Sequence, residues 1–384
     1  MRKLAIIGAS YLQMPLIQAA SDLGFETHVF AWKAGAPGET AADVFYPISI
    51  TETDEIRDVC RNIGIAGICS IGSDLAMKAV SETAAALGLP ANPPEAAARA
   101  MDKHRMRLAF EAAGVPSPKS ILVSSAADVS PDELTWPVIV KPLDRSGSRG
   151  ITKVYRPEDL EEAIAHAKEQ GFVKQALVEE FAAGKEYSAE CISCAGVHRV
   201  LSITEKFTTG APHFIETGHL EPCGLSPVMY RRAEETVISA LESLGLELGA
   251  SHAEFRIDEN GEIRMIEVGG RMGGDFIGSD LVPLTTGIDY VRAVIACAVG
   301  EPADLSVHPH YGAAGVRFLF GPEDREVLEK LRREHPEYLV RCEVHDTSEA
   351  VHDSSDRHGY FLMKADDREA LLPYLPEEET ACGN

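Results

Sequence analysis

Two glutamates, Glu254 and Glu267, flank an Asn-Gly pair in the stretch His252-Ala253-Glu254-Phe255, Asn260-Gly261, Ile266-Glu267-Val268. Asn-Gly between alternating strands signals a hairpin, because a two-residue type I′ turn needs positive φ at both central residues. That loop predicts Glu254 opposite Glu267 on one face, with Phe255 opposite Ile266 and Ala253 opposite Val268 on the other. Directly opposed carboxylates repel unless a cation lies between them. Hard oxygen ligands of this kind suit Mg²⁺, which takes one or two carboxylates together with phosphate oxygens and water. A solvated acidic face is the competing reading. Gly269-Gly270-Arg271-Met272-Gly273-Gly274 follows at once and adds a cation and flexible backbone to the end of the same strand.

A second element is Val138-Ile139-Val140-Lys141-Pro142, a strand ending in a lysine, followed by Arg145-Ser146-Gly147-Ser148-Arg149-Gly150. Such a loop can offer unblocked N–H groups to phosphate. It is not a P-loop, since Gly-Lys-Ser/Thr at a helix entry is absent; taken alone it also reads as a plain flexible hairpin. A third element, Glu179-Glu180-Phe181-Ala182 with Glu186 beyond it, reads as strand, short linker, strand, with acids around an aromatic. It could present backbone groups and a carboxylate to an adenine and a ribose, or be an ordinary connection.

These residues need a scaffold. The chain has 384 residues, 36 Lys+Arg against 60 Asp+Glu, and a formal charge of −24. That excess argues against a nucleic-acid-binding or anionic-lipid-binding surface, though not against small anions held by local cations. No apolar run is long enough for a membrane span. The N-terminus reads as a buried strand rather than a signal peptide, and eight scattered cysteines form no disulfide framework; the expectation is cytoplasmic. Cys191 and Cys194 form a CxxC within one strand, where positions three apart face opposite ways, so they are read as structural thiols.

Strand and helix alternate up to a proline cluster at Pro90, Pro93 and Pro94, which predicts βαβ units and a parallel sheet. A single helix is expected over 94–113. Hairpins and helices then alternate in an α+β texture, and strands return after Pro302. The expected domains are 1–93, Rossmann-like; 94–303, with a lid at about 118–180; and 304–384, a C-terminal lobe.

The order and spacing of these motifs resemble the ATP-grasp superfamily over nearly the whole chain. The resemblance rests on Asp102-Lys103 before Ala113-Gly114-Val115-Pro116, on Ile139-Val140-Lys141, on Ser146 to Gly150, on Glu179 to Ala182 with Glu186, on Glu254, and on Glu267 with Arg271. It implies an α/β and α+β ATP-grasp fold: a Rossmann-like first domain, a central domain with a small lid, and a C-terminal lobe. It implies that Lys103 and Lys141 contact ATP phosphates under the loop of Ser146, Gly147, Ser148 and Gly150. Glu179, Glu180, Phe181 and Ala182 would face adenine, and Glu186 the ribose. Glu254 and Glu267 would bind Mg²⁺, one ion or two, with Mn²⁺ able to replace it, and Arg271 would stabilise the transferring group. Gly269 stands where the family often has an Asn ligand.

Glu267 to Asp275 looks like the branch of L-amino acid (dipeptide) ligases and carnosine-synthase-like enzymes. Phe214-Ile215-Glu216-Thr217-Gly218-His219 is similar to its substrate-side segment, which makes Glu216, His219, Gly273 and Gly274 substrate candidates. The implied activity is ATP-dependent joining of a carboxylate to an amine through an acyl-phosphate. The implied partners are small molecules, with a homodimer as the family expectation and no nucleic acid or membrane. Competing readings are a purine-pathway or carboxylase-type ATP-grasp enzyme, a nucleotide-binding protein without turnover, and a nicotinamide oxidoreductase. The last lacks Gly-x-Gly-x-x-Gly at Gly8.

Overall fold

The computed structural model describes residues 1–145, 147, 149–211, 214–308, 310–345, 351 and 354–377. Its strands are β1 (Lys3–Ile7), β2 (Glu26–Phe30), β3 (Val44–Tyr46), β4 (Gly67–Cys69), β5 (Ser120–Val123), β6 (Val138–Pro142), β7 (Thr152–Val154), β8 (Ala176–Glu180), β9 (Lys185–Cys194), β10 (Val197–Thr208), β11 (Glu216–Glu221), β12 (Gly249–Ile257), β13 (Ile263–Gly269), β14 (Ala313–Phe318), β15 (Leu339–Val344) and β16 (Gly359–Ala365).

Among the described residues these strands form three sheets. The first is parallel, in the order β3-β2-β1-β4, as βαβ alternation requires. The strand order reverses beside β1, so the turns after β1 and β4 open into a crevice at the carboxyl end of the sheet. The second is a small antiparallel sheet, β5-β8-β6-β7, backed by the helix Leu160–Gln170 through Val138, Val140, Ile164 and Ala167. The third has eight strands, β13-β12-β9-β10-β11-β14-β16-β15. The strands after Pro302 extend this sheet through β11–β14 pairing.

Period-two alternation fixes the two faces of the large sheet. On β12, Ala253, Phe255 and Ile257 pack into a core with Phe110, Val237, Leu241 and Leu244. That core is covered by the helix Pro227–Leu244, whose Ser226 hydroxyl caps the Met229 N–H and whose first position is proline. His252, Glu254 and Arg256 alternate with the core residues and face the other way.

Two expectations need correction. The helix predicted over 94–113 is two helices, Pro94–Met101 and Lys103–Ala113. Asp102 leaves helical geometry, and its carboxylate accepts from the His104 and Arg105 N–H groups, starting a new helix. The hairpin turn is not a two-residue type I′ turn. Asp258 N–H donates to Glu262 O, Ile257 pairs with Ile263, and of the loop residues only Gly261 has positive φ, at 76°. That is a three-residue loop with glycine in the left-handed position. Phe255 therefore faces Met265, not Ile266. A bulge between Glu254 and Phe255 then absorbs one residue and restores Glu254 opposite Glu267 and Ala253 opposite Val268.

Candidate active site

A cleft with about 1050 Å³ of space, part of it open to solvent, lies between the small sheet and the exposed face of the large one. Its wall includes Lys103, Lys141, Gly147, Glu179, Glu180, Phe181, Ala182, Glu186, Glu216, Glu254, Glu267 and Arg271. Gly150, His219, Gly273 and Gly274 are not in that wall. Ser146 and Ser148 lie outside the described residues. In a chain with 36 basic and 60 acidic residues, the wall is balanced: Lys103, Lys141, Arg145, Arg149, Arg256 and Arg271 against six glutamates.

The helix Lys103–Ala113 supplies the floor. Lys103 and Arg107 lie four apart and so share a face. Lys103 Nζ donates to Glu267 Oε1 at 2.7 Å and to Arg145 O at 2.8 Å. Arg107 reaches Glu179 Oε1 at 2.8 Å and Ile266 O at 2.6 Å, tying the small sheet to the bulged hairpin. Lys141 Nζ lies 2.6 Å from Glu179 Oε2. Burial alone would raise the Glu179 carboxyl, but Arg107 and Lys141 hold it below its ordinary value. Phe181 N–H donates to Pro137 O, and the Phe181 ring lies 3.6 Å beneath Lys153 Nζ.

A buried lysine that the sequence reading missed organises the opposite wall. Lys206 on β10 pairs in register with Glu186 on β9. Its Nζ lies 2.7 Å from Glu254, 3.2 Å from Glu186 and 3.6 Å from Glu216. Burial disfavours its charge, yet these three carboxylates hold its pKa well above the ordinary value. Glu254 sits correspondingly low, despite its burial, because of Lys206 and His252. His252 spans Glu254 and the buried Glu190, whose other oxygen accepts the Gly273 N–H at 2.9 Å. Burial would lower His252, but Glu190 and Glu254 lift it to about 9. Arg256 donates to Glu186 Oε2 at 2.9 Å and to Ala182 O at 3.1 Å.

Arg271 is held by Asp74 from the turn after β4, with Nε–Oδ1 of 2.9 Å and Nη2–Oδ2 of 2.7 Å. This clamp accounts for Gly269. A Cβ there would stand 2.7 Å from Asp74 Oδ1, so the space an Asn would need is already taken. Glu216 accepts from Arg357 at 3.2 Å, and Arg357 also donates to Asp275 at 2.7 Å. His219 is buried, with neither ring nitrogen hydrogen-bonded among the described residues; burial lowers its pKa.

Period-two spacing from Glu254 could have revealed His252 and Arg256, and helical spacing from Lys103 could have revealed Arg107. Lys206, Asp74 and Arg357 carried no such local signal.

Glu254 and Glu267 supply part of the oxygen set that a Mg²⁺ ion takes. The two carboxylates are directly opposed, and their named bonds fall on Oε1 of each. Among the described residues no three His, Cys, Asp or Glu side chains converge as a metal site. This fits an ion arriving on phosphate oxygens, and not one held by protein alone.

Residues 134–280 match the model of the ATP-grasp domain. With the sheets and cleft described above, that segment has the ATP-grasp fold. It is 33% identical over 203 residues to D-alanine–D-alanine ligase B of Chromobacterium violaceum, covering 51% of this chain and 65% of that one. It is 28% identical over 284 residues to alanine–anticapsin ligase of Bacillus subtilis, covering 66% and 59%. The chain thus spans less than two thirds of the length of these curated relatives. The crystal structure of L-amino acid ligase from Bacillus licheniformis superposes with a TM-score of 0.81 at 23% identity, covering 96% of this chain and 95% of that one. At that identity the likeness concerns the fold.

Proposed function

We propose that this protein is an ATP-dependent ligase that joins a carboxylate, an amino acid, to an amine and releases ADP and phosphate. One observation carries the reading. Glu254 and Glu267 oppose each other on one face of the cleft, while Lys103 and Lys141 enter it from the helix and the small sheet. The similarity to D-alanine–D-alanine ligase and alanine–anticapsin ligase supports the same direction.

In this mechanism the substrate carboxylate attacks the γ-phosphorus of ATP, giving an acyl-phosphate and ADP. The amine then attacks the acyl carbon, loses a proton, and phosphate leaves. Phosphoryl transfer needs positioning and charge neutralisation more than covalent help. Lys103 and Lys141 supply positive charge to the phosphates. Gly147 lets its loop approach them and shield the acyl-phosphate from water. Phe181 and Ala182 form the adenine wall, and Glu186, held by Arg256 and Lys206, the ribose side. Arg271, oriented by Asp74, faces the reacting carbonyl. Glu254 and Glu267 would hold Mg²⁺, which when bound neutralises phosphate charge. Glu216 is the candidate for the substrate ammonium.

The test is a matrix of L-amino acids and small carboxylates assayed for phosphate release with ATP and Mg²⁺, and mass spectrometry of the product. Amide product with stoichiometric ADP is expected. Saturable ATP binding with no stimulation by any pool would instead favour a nucleotide-binding protein without turnover.

A further inference from the structure

The turn that follows the glycine run is strained. Asp275 and Phe276 are consecutive residues with φ of 50° and 68°. A bulky non-glycine residue rarely takes this conformation, and two in succession persist only where surrounding contacts over-determine them. Phe276 packs on Tyr360, and Asp275 is held by Arg357, which precedes β16 and whose side chain is only 8% exposed. Its guanidinium lies 3.7 Å from the Phe318 ring centroid and donates to Asp275 Oδ2 at 2.7 Å. It also donates to Glu216 at both the backbone oxygen, 3.0 Å, and Oε2, 3.2 Å. Asp275 Oδ2 is 4.0 Å from His219 Nε2, and among the described residues neither ring nitrogen of that buried histidine has a hydrogen bond.

Arg357 therefore joins two carboxylates from different elements. Glu216 belongs to β11 and lines the cleft; Asp275 ends the segment carrying Arg271 and Gly273. Asp275 keeps 26% of its side chain accessible and Glu216 16%; Glu216 is in the cleft wall, and Asp275 is joined to it from outside that wall through Arg357. Two fixed carboxylates with a buried guanidinium behind them make a receptor for a primary ammonium group. The guanidinium prevents mutual repulsion of the two acids; on Glu216 it takes Oε2, and Lys206 lies 3.6 Å from Oε1.

We infer that Arg357 is the positioning residue of the substrate side, holding Glu216 and Asp275 so that together they receive the ammonium of an amino-acid substrate. This rests on the ligase reading and adds Asp275 and Arg357 to it. Arg357 does not touch the nucleotide subsite, so its effect belongs to recognition of the amino acid.

The experiment compares wild type with Arg357→Gln, Arg357→Lys and Asp275→Asn, using the pool of twenty L-amino acids and then its most active member. ADP release gives KM and kcat for amino acid and for ATP. The thermal shift produced by the same pool, with Mg²⁺ and a non-hydrolysable ATP analogue present, reports binding without turnover. Losing a charged hydrogen bond at this position is expected to raise the amino-acid KM about ten-fold or more in Arg357→Gln. The kcat and the ATP KM should stay near wild type, and Arg357→Lys should recover part of the loss. A merely structural role would lower kcat or the active fraction without separating the two KM values, and that result overturns the inference. If wild type gives a thermal shift but no ADP, the ligase reading fails while the shift still tests Arg357. If no amino acid produces either response, there is no substrate side for Arg357 to organise, and the inference is overturned as well.

Discussion

Replacing Lys206 by methionine keeps most of the side-chain volume and removes the charge that three carboxylates share. Removing one partner from a buried ion pair costs about 3–5 kcal/mol, because the other charge is left uncompensated. Here each acid retains one further donor: Arg256 for Glu186 at 2.9 Å, Arg357 for Glu216 at 3.2 Å and His252 for Glu254 at 3.1 Å. The expected loss is therefore at the low end, about 3 kcal/mol, or a fall in Tm on the order of 4 °C for a chain of this length. The sign of a second effect follows from the same contacts. Glu254 without Lys206 is a stronger cation site, so Mg²⁺ with ADP should stabilise the variant more than it stabilises the wild type. Thermal and urea unfolding with and without Mg²⁺ and ADP read both effects. A loss below about 1 kcal/mol, or an equal metal response in the two proteins, would refute the assigned role of Lys206.

Glu267→Gln should leave a folded protein, since the Glu267 side chain is 25% exposed, yet ADP formation should drop about a hundred-fold or more; normal turnover at saturating Mg²⁺ removes the metal assignment. Arg271→Ala should bind a non-hydrolysable ATP analogue as wild type does and form no product, and Asp74→Asn should weaken turnover in the same direction by freeing the guanidinium, both read by calorimetry and product analysis. Glu221 is fully buried between Thr204 and Thr285, and burial lifts its carboxyl from 4.5 to about 7. Its raised value contributes stability that is complete below the unfolded pKa and lost as pH rises through about 7, on the order of 3 kcal/mol. Urea unfolding of wild type should therefore weaken from pH 5 to pH 8 relative to Glu221→Gln, and parallel profiles would contradict this.

Much of the scaffold was legible because strand alternation, helix caps and proline clusters are local. The opposed glutamates were legible for an incomplete reason. The turn is longer by one residue than Asn-Gly suggested, and the bulge beside Phe255 restores the pairing. The charged partners were not legible in the same way. Asp74 meets Arg271 across 197 positions, Arg357 meets Asp275 across 82, and Lys206 meets Glu254 across 48. None of the three finds that partner in its own segment, and only tertiary packing supplies it. The hinge shows the reverse: Glu179 reads locally as a ligand for adenine, whereas its carboxylate is engaged by Lys141 and Arg107.

The balanced wall of the cleft sits in a body of charge −24. A polyanionic nucleotide approaching from bulk solvent first meets repulsion, and the attraction of the cleft cations is felt only within about a Debye length, roughly 8 Å at physiological ionic strength. Added salt then screens the long-range barrier more than the short-range attraction, so capture of nucleotide should quicken with moderate salt, opposite to the behaviour of a protein that steers its ligand in from afar.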